Sequence, residues 1–389
     1  MISYGPHGEV NMSAQGRVPT KYTVLDLFAG CGGFSLGFRK AGFNIAAAND
    51  KWKVATNTFK KNFLESEVIC GDLSKKEIQD RIIQKYEDKI DVIIGGPPCQ
   101  AFSLAGARNL EDPRGKLFDA YFVIVKKIKP KVVVLENVKG ILSMKHFMDD
   151  TPIAIKKEYM EKNAEIKNKK QKIKIKDIEN LYSKYLVPVV DVITKEFEKL
   201  KYKMDIKKMN SRDFGVPQSR DRVFFIGNSL NIVNKFPAPT HYSREEKKPH
   251  YSTLKSAIGH LSFPELTEGD ECYFGGYSYI FMSRNRRRKW NDQSFTIQAT
   301  ARHAPLHPSS PPMEKVSLNV WKFTKGLRRS LSVKECALIQ TFPPTFIFEG
   351  SMNQKYRQIG NAVPPKMAKQ IAVSVKDMLE NNIDVQRDE

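Results

Sequence analysis

No apolar run in this 389-residue chain approaches the ~20 residues needed to span a bilayer. The first 20 residues carry no apolar signal core and read as a mobile leader. Cysteine is scarce. The five residues at 31, 70, 99, 272 and 336 are scattered, with neither a disulfide framework nor the C-x-x-C spacing of a zinc site. These absences argue against a membrane-spanning helix and a disulfide-stapled scaffold, so a reducing, cytoplasmic setting is expected, with no membrane partner. The glycine-rich turn at Gly30-Cys31-Gly32-Gly33 has neither the Lys-Ser/Thr of a P-loop nor the full dinucleotide spacing, which argues against an ATP or nicotinamide site. His303 and His307 stand four residues apart, but Pro305 between them opposes a helix and no second ligand pair matches, so no metal is expected. No internal repeat is evident.

What the chain has in excess is positive charge. A net +21 suits a polyanionic partner, although part of it is an ordinary solvated surface. Much of the lysine lies in Ile155–Lys176, which reads as a helix of mixed charge. Its low hydrophobicity points to mobility or to contact with a DNA backbone. Strands expected near Val24, Ile45, Val68, Val92 and Val132 alternate with helical stretches, the pattern of a doubly wound α/β sheet, and Arg222–Gly227 reads as a further strand. Between Gly227 and Gly326 that pattern gives way to Pro, Ser, His, Tyr and Arg without long periodicity. A last helix is expected from about Lys366.

Two motifs carry the chemistry. Asp91-Val92-Ile93-Ile94 is a buried strand that runs into Gly95-Gly96-Pro97-Pro98-Cys99-Gln100, a stiff turn presenting one thiol. The bland alternative for that cysteine is a small buried hydrophobe. Val24 to Leu27 is another strand, and it enters Phe28-Ala29-Gly30-Cys31-Gly32-Gly33, where bare backbone at a helix N-terminus can take a nucleotide-like ligand. Asp50 follows the next apolar run at the spacing of a ribose-binding acid, and Gly71-Asp72-Leu73 follows the one after.

Taken in order, these motifs resemble those of the S-adenosylmethionine-dependent cytosine-5 DNA methyltransferases, of the type found in bacterial type II restriction–modification systems. The resemblance covers roughly residues 22–375. It rests on Asp26–Gly33, Pro97–Gln100, Glu136-Asn137-Val138, Gln218-Ser219-Arg220-Asp221-Arg222, Arg329-Ser330-Leu331-Ser332 with Glu335, Gln340, Phe342 and Pro343, and Gln358–Pro365. It implies a methyltransferase sheet over residues 21–228 with a basic insertion at about 146–186, where simpler members connect more directly, a smaller, mostly irregular or β target-recognition domain over 229–326, and a return segment over 327–389 whose last helix packs on the large domain. It implies that Cys99 is the nucleophile, that Glu136 hydrogen-bonds the flipped-out base, that Arg222 holds base and glutamate, and that Arg220 supports the phosphate or the catalytic loop.

For S-adenosylmethionine the resemblance implies Phe28 against adenine, Asp50 on the ribose, Asp72 on the adenine amine and Leu117 as an apolar wall. Asn361 and Val363 would close the pocket. Asp26, Ala29, Gly30, Gly32, Gly33, Leu73 and Pro97 complete the cofactor set. Lys51 departs from the pattern, since an aromatic or bulky apolar residue often directly follows the ribose acid, but Trp52 stands next to it. Gln100 and Ser103 beside the thiol, and Arg284, Arg286, Arg287, Arg288, Gln298 and Arg302 in the smaller domain, are the expected DNA contacts, because Arg and Gln read purine edges. Expected partners are double-stranded DNA and a cognate restriction endonuclease, with the chain acting as a monomer near the bacterial nucleoid. The competing readings are a tRNA cytosine-5 methyltransferase, whose Cys-Phe-Thr segment is missing here, and a non-catalytic DNA-binding relative, disfavoured by the intact Cys99, Glu136 and Arg222.

Overall fold

Strands with near-continuous apolar sequence must be covered on both faces, and here helices cover them. A computed structural model describes residues 22–98, 115–148, 150–169, 175–243 and 245–387. The leader, Cys99, Gln100 and Ser103 lie outside the described residues. The first half alternates strictly: β1 (Thr23–Leu27), α1 (Gly33–Lys40), β2 (Asn44–Asp50), α2 (Lys53–Asn62), β3 (Glu67–Cys70), α3 (Lys76–Tyr86), β4 (Val92–Gly95), α4 (Gly115–Ile128) and β5 (Val132–Val138). Then come β6 (Lys145–Phe147), α5 (Ile153–Lys169), α6 (Ile175–Leu181), β7 (Leu186–Pro188), α7 (Val189–Lys199), β8 (Lys203–Asn210) and β9 (Asp221–Asn228). The main sheet has seven strands in the order β3-β2-β1-β4-β5-β9-β8. Strands β1 to β5 are parallel, and β9 runs antiparallel to both β5 and β8. Strand order reverses between β1 and β4, and in such sheets ligands bind at that switch point, outside the strand C-termini. Edge strand β8 escapes a sequence reading, because Lys208 stands where its apolar alternation, Met204 then Ile206, calls for an apolar residue.

The rest of the chain adds α8 (Leu254–Ile258), α9 (Tyr279–Met282), the hairpin β10 (Met313–Ser317)–β11 (Val320–Phe323), α10 (Val333–Ile339), α11 (Met352–Asn361) and α12 (Pro365–Arg387). α12 lies against α1, where Gly37 leaves no room for a side chain beside Ala368 and Lys369. The region 229–326 is not walled off by a core of its own. Leu254, Ile258, Ile297 and Ala301 belong to the same buried cluster as Phe34, Leu36, Ile371 and Val375, while Phe281, Leu306 and Met313, with Tyr277, Met282, Trp321 and Phe323, form a separate one.

The insertion is a folded unit where it is described. β6 and β7 pair as an antiparallel neck, Lys145 opposite Pro188 and Phe147 opposite Leu186. Above the neck Phe147, Tyr159, Ile178, Tyr182 and Leu186 form a separate small core. Tyr159 is fully buried and makes edge-on contacts, with ring centroids 5.3 Å apart, to Phe147 and to Tyr182. A few aromatic side chains stabilise a unit whose average composition is hydrophilic.

Candidate active site

One cavity of about 560 Å³ opens at the C-terminal ends of the five parallel strands, within the size range of small-molecule sites. It is lined by Phe28, Ala29 and Gly30 after β1, Asp50 at the end of β2, Asp72 and Leu73 after β3, Gly96, Pro97 and Pro98 after β4, and Glu136 on β5. Leu117 from α4 and Asn361 and Val363 from the return segment close it, and Asp26 and Gly33 also line it.

The turn after β1 is held under strain. Phe28 adopts φ 62°, in the left-handed region that non-glycine residues avoid, and Gly30 has φ 56°. Asp50 holds this turn by accepting from the Gly30 backbone N–H at 2.9 Å and the Trp52 N–H at 2.8 Å. A carboxylate offers about four lone pairs, so acceptor capacity remains for a ligand. Burial pushes the Asp50 carboxyl above its ordinary range. Burial also pushes Asp26 up to about 7, against a 2.6 Å hydrogen bond donated by the Ser35 hydroxyl. Burial acts in the same direction on Asp72 but is outweighed: hydrogen bonds from the Ser74 backbone and hydroxyl, with Lys51 nearby, hold that carboxyl below its usual value.

Lys51 reaches Asp72 at 3.4 Å while Trp52 lines the cavity, with the Arg357 guanidinium 4.6 Å above its ring. Arg357 also lines the cavity and is a residue that sequence reasoning missed; its only signal is its position just before the Gln358–Pro365 motif. Gly32 is corrected. It does not line the cavity, and a Cβ there would lie 2.6 Å from the Phe63 ring, so this glycine serves a φ of 94° and close packing.

At the other end of the cavity, Glu136 forms an ion pair with Arg222, Nε to Oε1 at 2.7 Å, with the two side chains 11% and 13% exposed. The sheet sets this pair. Arg222 stands opposite Val138 across the β5–β9 ladder, one diagonal from Glu136, which itself faces Phe224. Asn137 donates from Nδ2 to the Pro97 carbonyl at 2.9 Å and so pins the segment leading to Cys99 against the strand that carries Glu136. Of the two roles expected for Arg220, support of the phosphate is corrected. The residue is 1% exposed, and its guanidinium donates to the carbonyls of Ile297, Gly360 and Ala362. It directly precedes β9 and turns inward between the sheet and the return segment.

The expected DNA-reading residues divide by exposure. Arg284, Gln298 and Arg302 are exposed. Arg286 is corrected: it is buried and donates to the Phe281 carbonyl at 2.8 Å and the Ile280 carbonyl at 2.6 Å, fastening the end of α9. Arg287 donates to the Pro308 carbonyl at 3.0 Å, and Arg288 lies 4.1 Å over the Phe295 ring, so both are partly occupied inside the protein. His307 is buried, stacked on Phe263 and pushed by burial down to about 3, hence neutral. Cys31, Cys272 and Cys336 are buried, and burial pushes their thiols up, the first to about 12 and the second to about 11; Cys70 is exposed.

Residues 22–162 and 176–377 match the family model described as C-5 cytosine-specific DNA methylase. The chain belongs to that family. This methylase is therefore a DNA cytosine-5 methyltransferase. It is 40% identical to the Fusobacterium nucleatum Type II methyltransferase M.FnuDI over 92% of its own length and 94% of that protein. It is 36% identical to M.NgoPII of Neisseria gonorrhoeae, over 94% and 99% of the two chains. Its fold is that of solved methyltransferases. A Spodoptera frugiperda DNMT2 mutant aligns with a TM-score of 0.58 at 18% identity, over 91% of the methylase and 99% of that chain. Entamoeba histolytica EhMeth aligns with a TM-score of 0.58 at 18% identity, over 92% and 98% of the two chains. The family match breaks only at 163–175, inside the unit above the β6–β7 neck. Among the described residues, no helix of the methylase is long and apolar enough to cross a membrane.

Proposed function

We propose that the methylase transfers a methyl group from S-adenosylmethionine to carbon 5 of a cytosine flipped out of duplex DNA, through a covalent adduct with Cys99. One observation carries this reading: a single cavity joins the glycine-turn and acid end to the Glu136–Arg222 end, and the Pro97–Pro98 segment that precedes Cys99 runs along it. The cofactor fits the residues present. Asp50 and Asp72 supply acceptors for hydroxyls and an amine, Phe28, Trp52, Leu73 and Leu117 supply apolar walls, and no atom stands where a side chain at Gly30 would project.

When bound, S-adenosylmethionine supplies an electrophilic methyl group and departs as the neutral thioether. The chain's own residues make cytosine nucleophilic. Carbon 5 is unreactive until the Cys99 thiolate adds to carbon 6, which places an enamine at carbon 5. The electron pair displaced by that addition runs onto the ring nitrogen, which takes up a proton, and Glu136, held by Arg222, is placed to hydrogen-bond that N–H and the exocyclic amine. After methyl transfer the carbon 5 proton goes to a base, the electron pair re-forms the ring double bond, and the Cys99 sulfur leaves. Free cysteine has a pKa of roughly 8.5, so the site must favour the thiolate.

Target reading is assigned to the exposed Arg284, Gln298 and Arg302, and backbone contact to the lysine-rich insertion. The insertion leaves the sheet just beyond the C-terminal end of β5, on the side where the cavity opens. The relatives named as Type II methyltransferases support a role beside a restriction endonuclease; we further assign the chain to the bacterial cytoplasm, acting as a monomer on DNA. Incubation with methyl-labelled S-adenosylmethionine and either duplex DNA or tRNA tests the reading. Label in cytosine of DNA alone is expected; label in tRNA, or in neither, overturns it.

A further inference from the structure

Arg220 has a fully buried charge whose partners are backbone carbonyls from two separate parts of the chain. It donates to Ile297 at 3.2 Å on one side, and to Gly360 at 2.8 Å and Ala362 at 3.2 Å on the other. Ile297 adjoins the exposed Gln298, and Ala362 adjoins Val363 in the cavity wall. Two buried amides repeat the same bridge. Gln218 accepts from the Ile297 N–H at 2.9 Å and donates to Gln340, which donates in turn to the carbonyls of Ile359 and Ala362, each at 2.9 Å. Both backbone groups of Ile297 are thus held by side chains of the 218–220 segment. At Gly360 there is no room for a side chain, because the Gln298 carbonyl lies directly against it. The segment around Gln298 therefore rests on the backbone of α11, whose Arg357, Gln358 and Asn361 line the cavity.

We propose that Arg220 is a positioning residue that couples occupancy of the cofactor cavity to the placement of the base-reading segment 296–302. The proposal rests on the methyl-transfer reading given above. Its basis is geometric. A rigid guanidinium fork holds both walls at once, so moving either one breaks charge-assisted hydrogen bonds to buried carbonyls. A ligand that fixes one wall then lowers the cost of ordering the other, and the effect must be reciprocal.

The test measures the dissociation constant of S-adenosylhomocysteine, which cannot turn over, with and without a saturating duplex that carries the methylation site. In the wild-type protein the duplex should tighten that binding by roughly 5- to 150-fold. Arg220→Lys keeps the charge but loses the fork, so each ligand alone should bind within about threefold of wild type while the ratio falls towards one. Gly360→Ala, which pushes the two walls apart while leaving the Arg220 side chain itself unaltered, should also collapse the ratio. General destabilisation would weaken both affinities and leave the ratio in place. A wild-type protein that binds both ligands with a ratio of one overturns the proposal, as does a folded Arg220→Lys protein with the wild-type ratio. Failure of the wild-type protein to bind either ligand would instead sink the methyl-transfer reading beneath it.

Discussion

Removing the Arg222 guanidinium should slow the chemical step without weakening cofactor binding. Arg222 meets Glu136 at 2.7 Å with both side chains nearly buried, whereas Glu136 lies at the end of the cavity away from Asp50 and Asp72. Close, largely desolvated charge pairs couple by about 1.5–7 kcal/mol, and for one beside an open cavity the low end, about 1.5–3 kcal/mol, applies. If that contribution is expressed when charge develops on the ring, Arg222→Ala loses roughly 10- to 150-fold in kcat, at 1.36 kcal/mol per tenfold. Arg222→Lys restores charge but not the directed fork and should fall between the two. Loss of the pair also leaves Glu136 without its cation. Because one end of the cavity is open to solvent, the stability cost should be smaller than the roughly 3–5 kcal/mol typical of a broken buried pair. Single-turnover transfer of labelled methyl to duplex DNA separates these effects, with cofactor affinity measured on the same protein. A kcat within about threefold of wild type, or a loss confined to cofactor affinity, would refute the orienting role given to Arg222.

Burial raises the Asp26 carboxyl from 3.8 to about 7, so the native state binds more protons than the unfolded chain between those values and stability falls as pH rises through that window. Asp26→Asn should remove this slope, worth on the order of 4 kcal/mol across that window at about 1.36 kcal/mol per pH unit; parallel urea melts of both proteins would contradict the assignment. Arg286→Ala should cost roughly 1–3 kcal/mol of stability by stranding the buried Phe281 carbonyl, whereas exposed Arg302→Ala should leave the melt unchanged and alter sequence preference; the reverse pattern in melting and binding assays would undo both assignments. Replacing residues 148–185 with a short turn across the β6–β7 neck should flatten the salt dependence of DNA binding by ~0.9 in log–log slope for each phosphate no longer neutralised, and an unchanged slope in a folded protein would make the insertion a solvated face.

The alternation of apolar runs made β1 to β5 and β9 readable, because strands buried on both faces, parallel or not, leave a largely unbroken apolar signature. The ends of those strands then located Asp50, Asp72, Glu136 and the segment before Cys99 in one place, since open sheets bind ligands there. What could not be read depends on packing between distant segments. Nothing local distinguishes Arg286, fastened to α9, from exposed Arg284 two residues earlier, or Arg220 on three carbonyls from Arg222 on a carboxylate. Gly32 looks like part of a cradle until Phe59 and Phe63 are seen behind it. The core of the insertion was hidden because three aromatic residues among many lysines barely move an average composition.

The covalent role of Cys99 is the central claim, and mechanism-based trapping tests it most directly. Carbon 6 is stacked inside a duplex, so the base must be extruded, at a cost of a few kcal/mol, before a thiolate can reach it. With 5-fluorocytosine at the target position, fluorine cannot leave as a proton does, and the adduct persists once the methyl group has been transferred. Cys31, Cys272 and Cys336 are buried with raised pKa values, which leaves exposed Cys70 as the competing thiol among the described residues. Peptide mapping of the trapped complex should place the DNA on the peptide containing Cys99, only when S-adenosylmethionine is present, and Cys99→Ala should bind DNA without trapping it. An adduct on Cys70, or full turnover by Cys99→Ala, would contradict the account.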